Sequence, residues 1–321
     1  MARFLTERLL QALLVLLVMS FVVYMLIGLM PGDPIDLMIA SDPNLTAADA
    51  ARLKALYGLD KPVIERYFNW LLAALSGDLG YSRLAAQPTL AVVLPRMGNT
   101  AILMACTLLL ALGIALPAGI YAARKPYTKL DTLVNFLCFG GISMPSFWLA
   151  LLLIILFAVT LGWLPASGMA PVGSESFAAR LPYLVMPVMT LTLLNAGVLT
   201  RHIRAAMLEQ LRQDYVRTAR AKGVAETTVV WKHALRNGMI PIVTIISHDI
   251  GTLFSGAVVT ETIFGYLGMG KLIYDSVMGN DFNVALVALL AATAMILLAN
   301  LIADVAYAAL DPRVTFAARK A

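Results

Sequence analysis

Charge is scarce in this sequence. Only 13% of its 321 residues are Asp, Glu, Lys or Arg, whereas soluble domains carry about 25%. So few charges do not keep a chain of this length dissolved, which excludes an ordinary soluble enzyme or binding module. Cysteine is nearly absent too. Cys106 and Cys138 both lie in apolar runs, which leaves no disulfide framework and no metal-ligating spacing; they read as small packing residues. No catalytic triad, zinc cluster or nucleophile–base pairing stands out. The run Gly265-Tyr266-Leu267-Gly268-Met269-Gly270-Lys271-Leu272 has the glycines and lysine of a phosphate loop. However, Leu272 stands where a magnesium-binding Ser or Thr belongs, and no strand precedes it. It reads as a glycine-rich turn followed by a short helix. The expectation is a protein with no catalytic residues, no metal, no cofactor of its own and no nucleic-acid partner.

What the chain has in abundance is apolar sequence. Hydrophobic residues make up 60% and mean hydropathy is +0.82. A helix needs about 20 apolar residues to cross the bilayer core. Six windows meet this, at 9–30, 98–123, 132–158, 181–203, 239–260 and 282–305. The expected fold is therefore all-α: one polytopic membrane domain over 1–321 with six transmembrane helices. The first window is longer than the about 7–15 residues of a signal-peptide core, and no Ala-x-Ala site follows, so it reads as a retained helix. Pro145 and Pro187 are expected to interrupt their spans.

Six spans place both termini on one side. If that side is the cytoplasm, the inner segments hold sixteen of the 24 basic residues, while seven acids crowd the first outer loop (Asp33, Asp36, Asp42, Asp49, Asp60, Glu65 and Asp78). Basic residues stay inside, so both termini are expected to be cytoplasmic. The short loop with Arg124, Lys125 and Lys129 gives the cleanest vote.

Two extramembrane segments are long. The outer segment 33–97 is expected to contain surface helices at 45–57 and from Pro62 to Leu75. The inner segment 204–238 is expected to continue the fourth helix through Asp214 to Lys222. It should then turn at Gly223 in a left-handed C′ conformation and form a short helix from Ala225 to Arg236, with Thr227, Trp231 and Leu235 on one face. Gly238 and Pro241 should open the next span. A plain connector would be far shorter, so the segment reads as a compact knob below the membrane.

His248 and Asp249 sit in the middle of the fifth window. A mid-membrane acid costs about 2.5–3.5 kcal/mol on insertion scales and usually faces a cavity. Asp249 therefore reads as lining a path for a cationic group, with pairing to a neighbouring subunit as the alternative. Asn195, Asn135, Ser143, Asn300 and Asp304 are weaker polar candidates that also suit helix packing.

The segment Asp214-Tyr215-Val216-Arg217-Thr218-Ala219-Arg220-Ala221-Lys222-Gly223, with His233-Ala234-Leu235-Arg236-Asn237 and Pro241, resembles the coupling loop of permeases in the dipeptide/oligopeptide/nickel group of ABC importers. Arg217-Thr218-Ala219 stands at the E-A-A position of the general importer pattern. His233-Ala234-Leu235-Arg236 replaces its I-x-L-P, as in the peptide group. Pro31-Gly32-Asp33-Pro34, Tyr57 to Pro62, Gly77 to Ser82, Ser143-Met144-Pro145-Ser146-Phe147-Trp148, Glu261-Thr262-Ile263-Phe264 and Asp311-Pro312-Arg313 resemble the same group. The long first outer loop resembles the B-type subunit.

The resemblance implies a type I ABC importer transmembrane domain in the bacterial inner membrane that moves di- or oligopeptides inward. Nickel chelates, opines or glutathione are the alternative cargoes. It implies a heterodimer with a second permease, two cytoplasmic ATPases that hold the ATP and magnesium, and an extracytoplasmic binding protein. It further implies ATPase coupling through Arg217, Thr218, Ala219, Gly223, Ala225, Glu226, Thr227, Thr228, Trp231, His233 and Arg236. The translocation path would be lined by Asp249, His248, Asn195, Ser143 and Met144. A carrier driven by an ion gradient through Asp249 is the rival from another class.

Overall fold

A computed structural model describes residues 2–29, 61–171, 173 and 176–310, apart from the side chains of 2, 3, 240, 241, 244, 247–253, 255, 256 and 306–310. The expected surface helix at 45–57 lies outside the described residues, as does the C-terminal Asp311-Pro312-Arg313. The chain divides into two compact units, Met1–Gly98 with Lys271–Met295 and Asn99–Gly270 with Ile296–Ala321.

In the first unit, α1 (Ala2–Gly28) carries α2 (Val63–Leu75) against its far end. Helix α2 starts directly after Pro62, as expected, and its buried face is aromatic. Tyr67 is 3% exposed; its ring meets Phe21 edge-on at 5.1 Å and Tyr24 at 5.6 Å, and its hydroxyl lies 3.0 Å from Ser20 Oγ. A departure from all-α follows: a two-residue antiparallel pair, β1 (Tyr81–Ser82) with β2 (Gln87–Pro88). Asp281 holds this hairpin, accepting from Ser82 Oγ at 2.6 Å and from Leu84 N at 3.0 Å. Asp281 is buried.

The second unit is built around α6 (Phe177–Gln210). Helix α3 (Thr89–Arg124) reaches it from the first unit along one continuous helix that starts nine residues before the expected span. At Gly119, a Cβ would lie 2.7 Å from Ile203 Cγ2. Helix α4 (Lys129–Ser143) crosses α6 more closely. A Cβ on Gly141 would lie 2.8 Å from the Leu193 carbonyl oxygen, and one on Gly197 would lie 2.8 Å from that of Cys138. Small residues let these backbones touch, as is common between helices in lipid.

The third expected span, 132–158, is not one straight helix. It is α4 and α5 (Ser146–Leu153), the latter continued by a π-helical stretch (Ile154–Thr160), and the two directions differ by 99°. Proline forces the break: Met144 takes an extended ψ of 129° before Pro145, whose missing N–H cannot continue the ladder. Pro187, by contrast, does not interrupt α6, nor does Pro182. Pro187 is buried between Met186 and Val188, and that packing offsets one lost hydrogen bond.

Beyond the inner segment, α9 (Leu235–Ile263) packs along α6. A glycine turn follows, then α10 (Met269–Met278) and α11 (Phe282–Leu310). Among the described residues, four helices are long and apolar enough to cross a membrane: Phe4–Gly28, Thr89–Arg124, Phe177–Gln210 and Phe282–Val305. The bent α4–α5 pair makes a fifth if counted as one broken span.

Candidate functional site: the segment between α6 and α9

The segment expected to face inward does not begin by extending α6. That helix ends at Gln210, and Gln213 turns extended (ψ 152°) to cap a separate α7 (Asp214–Ala221). Asp214 explains the new start: an acid in the first turn meets the positive end of the helix dipole. Its carbonyl accepts from Thr218 Oγ1 at 2.9 Å and its carboxylate from Arg217 at 3.2 Å.

Gly223 closes α7 as expected, at φ +77°. Val224 N donates to Ala219 O at 3.2 Å and Gly223 N to Arg220 O at 2.9 Å, the paired bonds of a Schellman cap. Val224 and Ala219, the two residues such a cap brings together, both pack on the core. Arg220 then reaches across the bend to Glu226 with both guanidinium arms, at 3.0 and 2.7 Å. That bond is the main reason the Glu226 carboxyl titrates below the usual range.

After the bend come a single turn, α8 (Glu226–Thr228), and a π-helical turn (Val229–Ala234) that runs directly into α9. The short helix is therefore not a separate piece, and Gly238 and Pro241 do not open a new helix. Gly238 instead sits against α6, where a Cβ would lie 3.3 Å from Met207 Sδ. The π turn also changes the faces. An extra residue per turn lets neighbouring Val229 and Val230 both be fully buried, with Val216 and Ala234, against Ile203, Met207 and Ile242. Thr227 and Trp231 stay outside, Trp231 at 45% exposed. Leu235 turns into the core, so the three do not share one face.

The expected coupling residues lie along the stretch from α7 to the start of α9. Arg217, Thr218, Ala225, Glu226, Thr227, Trp231 and Arg236 are exposed, as is Gly223; Ala219, Thr228 and His233 are half-buried. The expected path residues are less assembled. Ser143 and Met144 lie at the α4–α5 bend. Asn195 lies on α6 between the two close approaches to α4 and donates to its own Leu191 carbonyl at 2.6 Å. Asn135 spends its amide on Asp131. His248 and Asp249 fall within α9, and their side chains lie outside the described ones.

Two acids escaped the sequence reading. Asp131 is 3% exposed and binds Arg204 through two bonds of 2.6 and 2.7 Å, while also accepting from Tyr127 N at 2.8 Å. The pair ties the start of α4 to α6 beside the inner segment. The sequence signal was Thr128, three residues before Asp131 at a helix start. Glu261 is fully buried at the end of α9, where Thr100 Oγ1 donates to it at 2.6 Å. Gly268 and Gly270 leave the room it occupies; a Cβ on Gly268 would collide with its carboxylate. Nothing in its spacing foretold this, because Thr100 is 161 residues away.

Residues 115–316 match the pattern of the binding-protein-dependent transport system inner membrane component, and residues 1–101 match the N-terminal pattern of the same kind of membrane component. The chain belongs to this family. Among its relatives, the permease is 36% identical over 318 residues to the oligopeptide transport system permease protein AppB of Bacillus subtilis, covering 98% of this chain and all of that one. It is 35% identical over 316 residues to the glutathione transport system permease protein GsiC of Escherichia coli O6:H1, with 98% and 100% covered. To the di/tripeptide transport system permease protein DppB of Pseudomonas aeruginosa it is 35% identical over 317 residues, with 92% and 93% covered. Its fold is similar to that of the methionine ABC transporter MetNI in an inward-facing conformation, at a TM-score of 0.55 and 19% identity, over 69% of this chain and 97% of that one.

The permease is thus a non-catalytic, multi-pass membrane component of an ABC importer that works with other importer components. The gradient-driven alternative is not favoured.

Proposed function

We propose that the permease is a single transmembrane domain that moves short peptides or peptide-like solutes inward across the bacterial inner membrane, driven by two separate ATPases. It would pair with a second permease and receive cargo from an extracytoplasmic binding protein. The relatives transport oligopeptides, di/tripeptides and glutathione by name, which supports a peptide bond-bearing cargo. ATP and magnesium are assigned to the ATPases, and no cofactor to this chain. The six spans would be α1, α3, the bent α4–α5 pair, α6, α9 and α11, with both termini in the cytoplasm.

The observation that carries this reading is the construction of the segment from Asp214 to Ala234. It is capped at Gly223, clasped by Arg220 and Glu226, buried on one face and joined without a break to α9. A force applied to its exposed face at Thr227 and Trp231 is transmitted to the spanning helices instead of being absorbed by a loose linker. Docked in a cleft of an ATPase, it would turn closure of the ATPases into rotation of α6 and α9 about a path lined by Asp249, His248, Asn195, Ser143 and Met144.

The test is cysteine crosslinking in the assembled transporter. Cysteine at Thr227 should capture an ATPase subunit, and capture should change when ATP is added. Failure at both Thr227 and Thr228, in a preparation that takes up peptide, would remove the coupling role. For the path, Asp249→Ala should alter uptake or substrate choice with the complex still assembled; loss of assembly would make Asp249 structural.

A further inference from the structure

Beside the proposed coupling element, and sharing its Arg220–Glu226 clasp, lies a concavity. The end of α3 with the residue after it (Arg124, Lys125), the turn after α6 (Arg212) and the α7–α8 bend (Arg220, Glu226) line an open cavity of about 290 Å³. Three segments converge on it, the first more than eighty residues before the other two, bringing four cations and one carboxylate, a net charge of +3. The carboxylate is already engaged, since Glu226 accepts both arms of Arg220.

Guanidinium forks match the oxygens of a phosphate and bind them in pairs. The position suits such a group. Arg124 is the last residue of α3, directly after the buried apolar residues Ala122 and Ala123. On the proposed topology, in which α3 is a span, the cavity lies at the cytoplasmic end of that span, within reach of lipid headgroups. Basic pockets between spanning helices on the cytoplasmic side hold phosphate headgroups.

We propose that this cavity binds a phosphate group, carried by an anionic phospholipid or free in the cytosol. The proposal rests on the reading that this end of the permease faces the cytosol. It also links the anion to coupling. Arg220 lines the cavity and braces the Gly223 bend, so an occupied site would stiffen the element that docks the ATPase.

The experiment uses the complete transporter in nanodiscs of phosphatidylcholine with or without phosphatidylglycerol. Native mass spectrometry counts the retained lipid, and ATP-driven peptide uptake is measured in vesicles of the same compositions. The wild type should retain phosphatidylglycerol over phosphatidylcholine. Arg124→Gln with Arg212→Gln should weaken retention about fivefold per charge removed, and Arg124→Lys with Arg212→Lys should keep most of it. Retention that resists added inorganic phosphate identifies the lipid as the source. Displacement by inorganic phosphate, with phosphate bound by the wild type and not by the Gln variant, identifies the free ion. Equal retention by wild type and Gln variant, with no phosphate binding by either, overturns the proposal. So does loss of the ATPase subunits from a Gln variant that still holds the lipid, because the occupant is then an acidic protein surface. Normal ATP-driven uptake without anion binding sinks this inference alone. Anion binding without any ATP-driven uptake by the wild type sinks the functional reading instead.

Discussion

Gly223 illustrates how one backbone angle governs the segment proposed to couple the permease to the ATPases. A Cβ there would meet nothing within 4 Å, so space is not the constraint; its φ of +77° is. A non-glycine residue in this conformation costs about 1–2 kcal/mol, and asparagine tolerates it best. Gly223→Val should therefore cut ATP-driven uptake severely, and Gly223→Asn only mildly, in reconstituted vesicles. Equal uptake by the two variants would mean the bend is not needed. Gly268 presents the opposite case, where space is the constraint. Its Cβ would enter the volume of the buried Glu261 carboxylate. Gly268→Ala should destabilise by about 1–3 kcal/mol as an overpacked site, seen as a lower unfolding midpoint in detergent. Asp131 and Arg204 carry the largest expected penalty. Their side chains are 4% and 21% exposed, and removing one partner of a buried pair costs about 3–5 kcal/mol. Asp131→Asn should lower that midpoint more than Gly268→Ala does.

The segment from α7 to α9 depends on how its pieces are joined. The Schellman cap, the Arg220–Glu226 clasp and the π turn each remove one freedom between α7 and α9. The clasp has a pH signature. Hydrogen bonding from Arg220, with a lesser pull from Arg124, lowers the Glu226 pKa. A carboxyl held low in the folded state contributes stability above its unfolded pKa. That contribution disappears as pH falls through the folded value. Amide exchange at 223–226 should therefore stay slow at neutral pH and quicken in acid, after correction for intrinsic rates. Glu226→Gln should remove the difference. Both side chains are over 40% exposed, so the stabilisation lost should be about 1 kcal/mol or less.

For the molecule as a whole, surface chemistry decides what the chain needs around it. Leu10, Leu13, Leu109, Phe136, Val159 and Trp163 are among many large apolar side chains left exposed, Phe136 at 73%. Lipid and the companion permease proposed above are the candidate covers. Co-purification with the companion should raise the unfolding midpoint of this chain by mass action. An unchanged midpoint would leave lipid as the cover.

Composition and apolar runs alone were enough for membrane residence, a mostly helical fold and four or five of the expected spans, because the bilayer imposes a length and a polarity on every crossing segment. Local chemistry was equally readable at Gly223, Pro62 and Pro145, where one residue's backbone limits act on its immediate neighbours. The unbroken passage from α8 into α9, and the Asp131–Arg204 and Thr100–Glu261 pairs were not readable. Each depends on groups brought together across 73 to 161 residues or on packing that outweighs a local preference, as at Gly238 and Pro187. Spacing along a chain carries no record of such meetings, since their energy exists only once the helices have packed.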